Sequence, residues 1–331
     1  MANTSRAAGV NFSNTFQKFP VKANIAAASI ASSGITHVKM FNYTQTDFFY
    51  SASQSGLKLV PGIPNDDLQA LSTNDPITIK KVLSSLKSYA GIIDMIMVGN
   101  EPLINEPLVY GPLLLPALQN LKAALKTVNI TAKLTVPFNS GIEKTSWPPS
   151  SGAFDPKLSS YITDVCTFLS KENSPFCINI YPYYARIGAP NDVPLDYCLF
   201  TQKTPQFTDP TTNLEYYNIF DAMYDATHFA LKALKYDTLP IIVGECGWPT
   251  AGGMDASNTN AQTFNQNLIT HVSSGTGTPK FPGQTIRTFV FEMYDEDEKS
   301  TAPGEFEKHW GVYEYQSGSD SYVAKYPLTW T

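Results

Sequence analysis

Eight short apolar segments recur along the chain, roughly 40 residues apart, and helix-like stretches separate them. Near-continuous apolar strands that alternate with helices indicate a parallel sheet buried on both faces. Eight such units favour closure into a (β/α)8 TIM barrel of the α/β class over an open sheet. The predicted strands are Gly9–Phe12, His37–Phe41, Lys58–Ile63, Asp94–Val98, Lys133–Phe138, Phe176–Tyr181, Leu239–Glu245 and Arg287–Tyr294.

The segments between these strands carry apolar residues at helical spacing, for example Leu118, Leu121 and Leu125. No linker interrupts the 331 residues, so we expect residues 9–331 to form a single (β/α)8 domain. Residues 1–8 are predicted to be a mature start or an added segment. The longest irregular stretch, from Arg186 to Thr212, follows the sixth strand. A binding loop and a plain surface excursion both remain open for it.

The charge balance limits the partners of the chain. The formal net charge is -6, and no run of Lys and Arg exceeds two residues, so nucleic acid is not expected as a partner. No stretch of about 18 apolar residues occurs, so no membrane span is expected.

Four glycosylation sequons favour a secreted protein of the extracellular space or cell wall. We also expect a monomer. The sequons begin at Asn3, Asn11, Asn42 and Asn129.

Metal and cofactor chemistry find little support in the sequence. The four His residues are scattered, without an HExxH motif or paired spacing, and the four Cys residues form no CxxC pair. The glycine repeat at Gly275 lacks the Lys-Ser/Thr of a phosphate loop, and no G-x-S-x-G elbow occurs. We therefore expect no metal and no cofactor. Whether Cys166, Cys177, Cys198 and Cys246 pair with one another stays open.

Two glutamates end apolar strand segments. Met95–Val98 leads into Asn100 and Glu101, and Pro240–Gly244 leads into Glu245. Burying a carboxylate after such a run is costly, so proteins seldom do it for stability. Carboxyl groups at the C-terminal ends of barrel strands would face one another across the barrel mouth. Cleavage of a glycosidic bond uses two such groups, about 5–5.5 Å apart when configuration is retained. The alternative, that each caps a helix or pairs with a Lys, is much weaker for the pair than for one glutamate.

The motifs resemble those of glycoside hydrolase family 17, the plant-type β-1,3-glucanases. The matching segments include Val98–Glu101, Asn179–Tyr183, Gly244–Pro249 and Tyr294–Lys299. The resemblance covers nearly the whole chain and implies a retaining endo-β-1,3-glucanase, a hydrolase of carbohydrate metabolism that acts on laminarin- or callose-type glucan. It implies that Glu101 is the catalytic acid/base and Glu245 the nucleophile of a double displacement. Segments such as Phe291–Tyr294 are most similar to the wall-associated branch of the family.

The same resemblance implies a set of substrate-binding residues. Asn100 is expected to bind the sugar 2-hydroxyl, and four aromatic side chains are expected to offer ring faces to glucose units. Lys299 is physically sensible there because a cation beside carboxylates favours their ionised form. The set is Asn100, Asn179, Tyr181, Tyr183, Trp248, Glu296, Lys299, Glu307 and Trp310.

Two other functions remain open at this point. A β-1,3-glucanosyltransferase would use the same two glutamates but pass the sugar to another glucan. A glucan-binding wall protein with decayed catalysis is a third reading, and the presence of Glu101, Asn100, Glu245 and Lys299 counts against it. Cys246 directly follows the predicted nucleophile. Strand alternation turns it away from the face of Glu245, so we expect a buried, unreactive thiol.

Overall fold

Each of the eight predicted strand segments contains at least one strand in the computed structural model, which describes residues 7–319 and 321–330. The strands are β1 (Ala8–Phe12), β2 (His37–Met40), β3 (Lys58–Val60), β4 (Gly62–Ile63), β5 (Met95–Val98), β6 (Lys133–Thr135), β7 (Pro137–Asn139), β8 (Glu143–Thr145), β9 (Ala153–Phe154), β10 (Phe176–Asn179), β11 (Phe207–Thr208), β12 (Glu215–Tyr216), β13 (Ile241–Cys246), β14 (Thr288–Val290), β15 (Tyr313–Gln316) and β16 (Ser321–Ala324). The strand predictions are confirmed, with the third and fifth segments each divided into two short strands.

Helices fill the intervals between these strands, as the apolar stripes predict. They are α1 (Ala23–Ser32), α2 (Thr46–Gln54), α3 (Leu68–Ser72), α4 (Pro76–Leu86), α5 (Pro107–Thr127), α6 (Ser159–Lys171), α7 (Pro182–Gly188), α8 (Leu195–Cys198), α9 (Ile219–Ala233) and α10 (Asn258–Ser273). Among the residues that the structure describes, no helix combines the length and the apolar character needed to cross a membrane.

One sheet of seven strands has the order β3-β2-β1-β14-β13-β10-β7, and β4, β5 and β6 form a second sheet of three. The strands of β1 and β14 pair in parallel with Gly9 opposite Phe289, and β10 pairs in parallel with β7, with Asn179 opposite Asn139. Parallel pairing brings the carboxyl ends of neighbouring strands to one edge of the sheet. Strand ends are therefore the places where polar side chains gather.

The chain divides into two compact units. The first holds the described residues up to Val38, then Ile180–Asp225, and then the described residues from Glu245 onward. Its helix α10 is capped by Ser257, whose side chain accepts a hydrogen bond from the Asn260 amide, and it buries Phe264, Leu268 and Val272 at helical spacing. A Ser at this position stabilises a helix start because it satisfies a backbone donor.

The second unit holds Lys39–Asn179 and Ala226–Gly244. Its helix α4 begins after Asp75, whose carboxylate accepts from the Thr78 amide, with Pro76 in the first turn. Helix α5 buries Leu118, Leu121 and Leu125, as its sequence pattern predicts. Full burial of such a side chain contributes about 1.5–3 kcal/mol, so these stripes hold the helices against the strands.

The stretch from Arg186 to Thr212 is less irregular than the sequence suggests. It contains α8 and the first strand of a small hairpin, in which Phe207 pairs with Tyr216 and Thr208 with Glu215. The hairpin turn is closed by Asp209, whose carboxylate accepts hydrogen bonds from the amides of Thr211 and Thr212. These elements are too short for a periodicity to reveal. The predicted start at residues 1–8 falls mostly outside the described residues, because 1–6 are not described.

Candidate active site

Glu101 stands in a tight turn directly after β5. Gly99 and Glu101 both have left-handed backbone angles, with φ of 79° and 48°. A non-glycine residue in this region is strained, and such strain is found mainly where function requires a side chain to be aimed. The Glu101 amide donates to the carbonyl of Pro137 at 2.9 Å, which fixes the turn against β7. The carboxyl group is therefore presented by a rigid backbone.

Asn65 holds this turn from the neighbouring strand end. Its Oδ1 accepts from the Asn100 amide at 2.8 Å, and its Nδ2 donates to the Asn100 carbonyl at 2.9 Å. One side-chain amide thus satisfies both backbone groups of the residue before Glu101. Sequence reasoning did not assign a role to Asn65. Its position just after β4 was the available signal.

Asn179, the last residue of β10, orients the carboxyl group itself. Its Nδ2 donates to Oε1 of Glu101 at 2.7 Å, and the Asn179 side chain is fully buried. Gly244 leaves room for this contact. A Cβ placed there would lie 2.7 Å from Oδ1 of Asn179 and 2.7 Å from Sγ of Cys177. A side chain at position 244 would therefore displace the residue that aims Glu101.

A polar cavity of about 320 Å³ adjoins Glu101. Among the described residues, Oδ1 of Asn100 is buried and has no hydrogen-bond donor. A buried acceptor without a donor is costly, and a bound hydroxyl group would satisfy it. The polar side chains that line the cavity are Asn65, Asn100, Glu101, Asn105, Glu106 and Tyr110. We call Asn65, Asn100, Glu101 and Asn179, all of the second unit, the Glu101 group.

Glu245 lies near the end of β13 and is 5% exposed. The Tyr181 hydroxyl donates to its Oε2 at 2.7 Å, and the Ile180 amide donates to its backbone carbonyl at 2.9 Å. Hydrogen bonds to an ionised acceptor are about twice as strong as neutral ones. Tyr181, predicted to offer its ring to glucose, is thus a hydrogen-bond donor to the predicted nucleophile.

Lys299 connects two further carboxylates to this region. Its Nζ lies 3.5 Å from Oε2 of Glu296 and 3.3 Å from Oε2 of Glu307. Burial alone would lower the pKa of Lys299, but the surrounding carboxyl groups outweigh it and raise that pKa above its ordinary value. The ammonium group therefore stays charged. We call Glu245, Tyr181, Glu296, Lys299 and Glu307, all of the first unit, the Glu245 group.

The Tyr184 hydroxyl donates to Oε1 of Glu307, whereas Lys299 contacts Oε2 of the same carboxylate. The sequence indicated no role for Tyr184, although this residue directly follows the family motif Asn179–Tyr183. Lys299 also lies 4.7 Å from the centre of the Phe291 ring, close enough for a cation–π contact. These contacts account for the position of the Lys299 ammonium group beside Glu296 and Glu307.

The remaining predicted aromatic residues form a buried cluster. Tyr183 and Trp248 are fully buried, Trp310 is 1% exposed, and Tyr183 packs edge-on against both Trp rings at 5.0 and 5.7 Å. None of the three offers an exposed ring face to a sugar in this structure. Of the three, Trp310 packs against Tyr181, with ring centres 5.2 Å apart.

Among the described residues, no disulfide bond joins the four cysteines, and all four are buried, which decides the question that the sequence left open. Cys246 is fully buried, as predicted, and burial raises the pKa of its thiol well above the ordinary value. Among the residues that the structure describes, no group of three or more His, Cys, Asp or Glu is arranged to hold a metal ion.

The two groups share one design, a glutamate at a strand end whose carboxyl group is held by a side-chain donor. Glutamates presented in this way at the ends of parallel strands of an α/β fold are typical of the glycoside hydrolases that use two carboxyl groups. The sequence model of the glycosyl hydrolases family 17 matches residues 9–326, and the chain belongs to this family. The predicted family is therefore confirmed.

Known relatives agree with this assignment. The chain is 34% identical over 327 residues to glucan endo-1,3-beta-glucosidase 3 of Arabidopsis thaliana, covering 96% of this chain and 64% of that relative. A solved beta-1,3-glucanase and allergen of Cryptomeria japonica pollen is 31% identical with a TM-score of 0.89, covering 98% of this chain and 99% of that one. A solved plant beta-glucan endohydrolase is 28% identical with a TM-score of 0.87, covering 97% and 100%. These likenesses confirm the predicted (β/α)8 fold class.

Proposed function

We propose that this protein is a retaining endo-β-1,3-glucanase in which Glu245 is the nucleophile and Glu101 the acid/base. The observation that carries the proposal is the hydrogen bond from Tyr181 to Glu245 at the end of β13. It restricts the Glu245 carboxylate to one orientation at a strand end, and a nucleophile must be aimed at the anomeric carbon. The names of the relatives give β-1,3-glucan as the substrate class. They give no support to the transferase and wall-protein alternatives.

The first half of the reaction forms a covalent intermediate. Glu101, as the neutral acid, donates its proton to the glycosidic oxygen while a Glu245 carboxylate oxygen attacks the anomeric carbon. The bond to the leaving sugar breaks, its oxygen keeps the proton, and an α-linked glucosyl ester forms on Glu245. Asn179 holds the Glu101 carboxyl group in one orientation through its amide donor. Proton transfer depends on such alignment.

In the second half, Glu101 is a carboxylate and removes a proton from water. The water oxygen attacks the anomeric carbon, the ester bond breaks, and Glu245 regains its charge. Two inversions return the β configuration. Asn100 offers its unpartnered Oδ1 as an acceptor for a sugar hydroxyl beside Glu101. Glu296, Lys299 and Glu307 bind further hydroxyl groups on the nucleophile side, while Trp310 packs against Tyr181.

Chemical rescue tests the nucleophile. Glu245→Ala should abolish hydrolysis of an activated aryl β-laminaribioside, and added azide should restore turnover with an α-glycosyl azide as the product. Azide takes the place of the missing carboxylate, so a single displacement inverts the configuration. Glu298→Gln is the matched control because Glu298 is exposed, and it should behave as the wild type. Retention of more than a few per cent of activity in Glu245→Ala would show that another group is the nucleophile.

Leaving-group dependence tests the acid/base. Glu101→Gln should slow cleavage of laminarin far more than cleavage of aryl glycosides with good leaving groups, because a good leaving group departs without protonation. An equal loss on both substrates would contradict this role for Glu101. Analysis of oligosaccharides released early from laminarin would separate endo cleavage, which gives a range of lengths, from removal of single units at a chain end.

The place of action is part of the proposal. We expect a secreted monomer that acts on glucan of the cell wall. The sequon at Asn129 supports secretion because this residue is exposed at the end of α5, whereas Asn11 is fully buried. Asn3 lies outside the described residues. Expression through a secretory pathway should add a glycan at Asn129 that an amidase removes, and sedimentation should give the monomer mass. An unmodified Asn129 would remove this support.

A further inference from the structure

Glu292 is a buried carboxyl group that the proposed mechanism does not use. It follows β14 and is 1% exposed, and its backbone is held by the Trp310 carbonyl and the Val312 amide. Among the described residues, no hydrogen-bond donor reaches Oε1 or Oε2. An ionised carboxylate that is buried without donors or a cation is among the most costly arrangements in a protein.

Charged groups from several elements act on Glu292, but their cations are already occupied. Lys325, after β16, contacts Asp295 at 2.7 and 2.9 Å. Lys299 contacts Glu296 and Glu307 at 3.5 and 3.3 Å. Neither ammonium group forms an ion pair with Glu292 among the described residues. The charged groups that act on it are Glu245 of β13, Asp295, Glu296 and Lys299 of the segment after β14, and Lys325.

Protonation of Glu292 removes the need for a further cation beside it. Burial, reinforced by the negative charge of Glu296 and Asp295, raises the pKa of Glu292 well above its ordinary value, although Lys299 opposes the shift. The uncharged form of Glu292 therefore persists to higher pH than that of an ordinary glutamate, which leaves the positive charge of Lys299 for Glu296 and Glu307.

We propose that Glu292 is a positioning residue that works as the uncharged acid and, on losing its proton, draws Lys299 away from Glu296 and Glu307. The inference rests on the proposed function, because it gives the Glu245 group its working charge. Lys299 can respond, since its side chain is 26% exposed and its flexible stem carries a point charge. A new charge in a buried setting attracts it strongly, because charges interact more strongly away from water. Loss of the Glu292 proton as pH rises thus weakens the site.

The sign of the stability effect follows from the same proton. The folded state holds the proton to higher pH than the unfolded chain, whose Glu titrates at about pH 4.3. The stabilisation is therefore fully present below that pH and is lost as pH rises toward the folded pKa. As pH rises over this range, the free energy of unfolding of the wild type should decrease. That of Glu292→Gln should decrease less, because it lacks the titrating carboxyl group. Glu298→Gln, an exposed neighbour, should keep the wild-type slope.

Infrared difference spectra give a direct reading of the proton. Wild type minus Glu292→Gln at neutral pH should show the carbonyl stretch of a protonated carboxylic acid, and wild type minus Glu298→Gln should not. Denaturant titrations across pH and these spectra need no substrate, so they test Glu292 even if the proposed function fails. Absence of the band together with an unchanged stability slope in Glu292→Gln would overturn the inference.

Activity across pH tests the positioning role. Activity is measured in the Glu101→Ala background on an activated aryl β-laminaribioside, which needs no general acid. Any decrease in kcat/KM at high pH then comes from other groups. The ratio of kcat/KM at pH 8 to that at pH 5 should be severalfold higher with Glu292→Gln than without it, and unchanged by Glu298→Gln. An equal ratio would reject the positioning role even if the band is present. Glu292→Ala, which also lacks the carboxyl group, should give the same result if Glu292→Gln folds poorly.

Discussion

The Tyr181 hydroxyl donates to Oε2 of Glu245 at 2.7 Å, and both side chains are almost completely buried. The bond joins residues 64 positions apart in the sequence. It restricts the orientation of the Glu245 carboxyl group. A hydrogen bond to a charged group contributes about 1.5–3 kcal/mol, enough to matter for both orientation and rate.

Tyr181→Phe should therefore lower kcat/KM on laminarin by about tenfold to a hundredfold, the equivalent of that energy. The ring and its packing on Trp310 remain, so the free energy of unfolding should change little. Tyr217→Phe is a matched control, because the exposed Tyr217 also donates to a carboxylate, that of Glu215 at 2.9 Å. Kinetics of the two variants would settle the role of Tyr181. Wild-type kcat/KM in Tyr181→Phe would show that the bond does not serve the reaction.

Asn179→Leu should impair the acid/base step selectively. The substitution keeps the size of the side chain but removes the donor to Glu101. We expect about tenfold or greater loss of kcat/KM on laminarin and a smaller loss on aryl glycosides with good leaving groups. Asn120→Leu, which removes two amide contacts of α5 in the same unit, should cost stability without changing the preference between leaving groups. A uniform loss in Asn179→Leu would point to a purely structural contact.

Gly244→Ala should disturb Asn179 from the other side. The added Cβ would meet Oδ1 of Asn179 and Sγ of Cys177 at 2.7 Å, closer than side-chain carbons normally approach. Overpacking of this kind costs about 1–3 kcal/mol, and activity should fall with the leaving-group pattern of Asn179→Leu. Gly91→Ala is the control, because no atom lies within 4 Å of its added Cβ. Denaturant unfolding and kinetics would be measured together, and unchanged values for Gly244→Ala would contradict this packing.

The thiols should be unreactive in the native protein. All four are buried, and burial raises the pKa of Cys166 and Cys198 to about 12 and that of Cys246 well above its ordinary value. Because the thiolate is the reactive form, labelling by a thiol reagent should be very slow in native buffer and complete at four sites in denaturant. Mass spectrometry would count the labels. Rapid native labelling at Cys246 that glucan prevents would contradict the predicted burial.

Retention predicts some transfer. The proposed glucosyl ester on Glu245 can be resolved by water or by a sugar hydroxyl, and the acceptor competes better as its concentration rises. We expect hydrolysis at low substrate and products longer than the substrate at high concentrations of β-1,3-glucan oligosaccharides. Chromatography of a concentration series would check this, with Glu245→Ala as the inactive control. No elongated product at about tens of millimolar would exclude easy transfer.

The sequence by itself determined the strands, the helix stripes and the two glutamates. Apolar runs of strand length that end in a carboxylate are local patterns, and Gly-Glu-Cys-Gly-Trp-Pro at 244–249 is specific enough to indicate the family. Periodicity could not reveal the short hairpins, such as Phe207–Thr208 with Glu215–Tyr216, because two residues carry no period.

Only the tertiary structure decided what each side chain does. Asn179 reaches Glu101 across 78 residues, Tyr184 reaches Glu307 across 123, and Asn65 reaches Asn100 across 35. Such partners depend on which strand ends the sheet brings together, and no local pattern encodes that. For the same reason Trp248 and Tyr183, which the family resemblance assigned to the substrate, are buried, and no hydrogen-bond donor among the described residues reaches the buried carboxyl group of Glu292. Burial and charge pairing are properties of the packed chain, because they depend on neighbours that are distant in sequence.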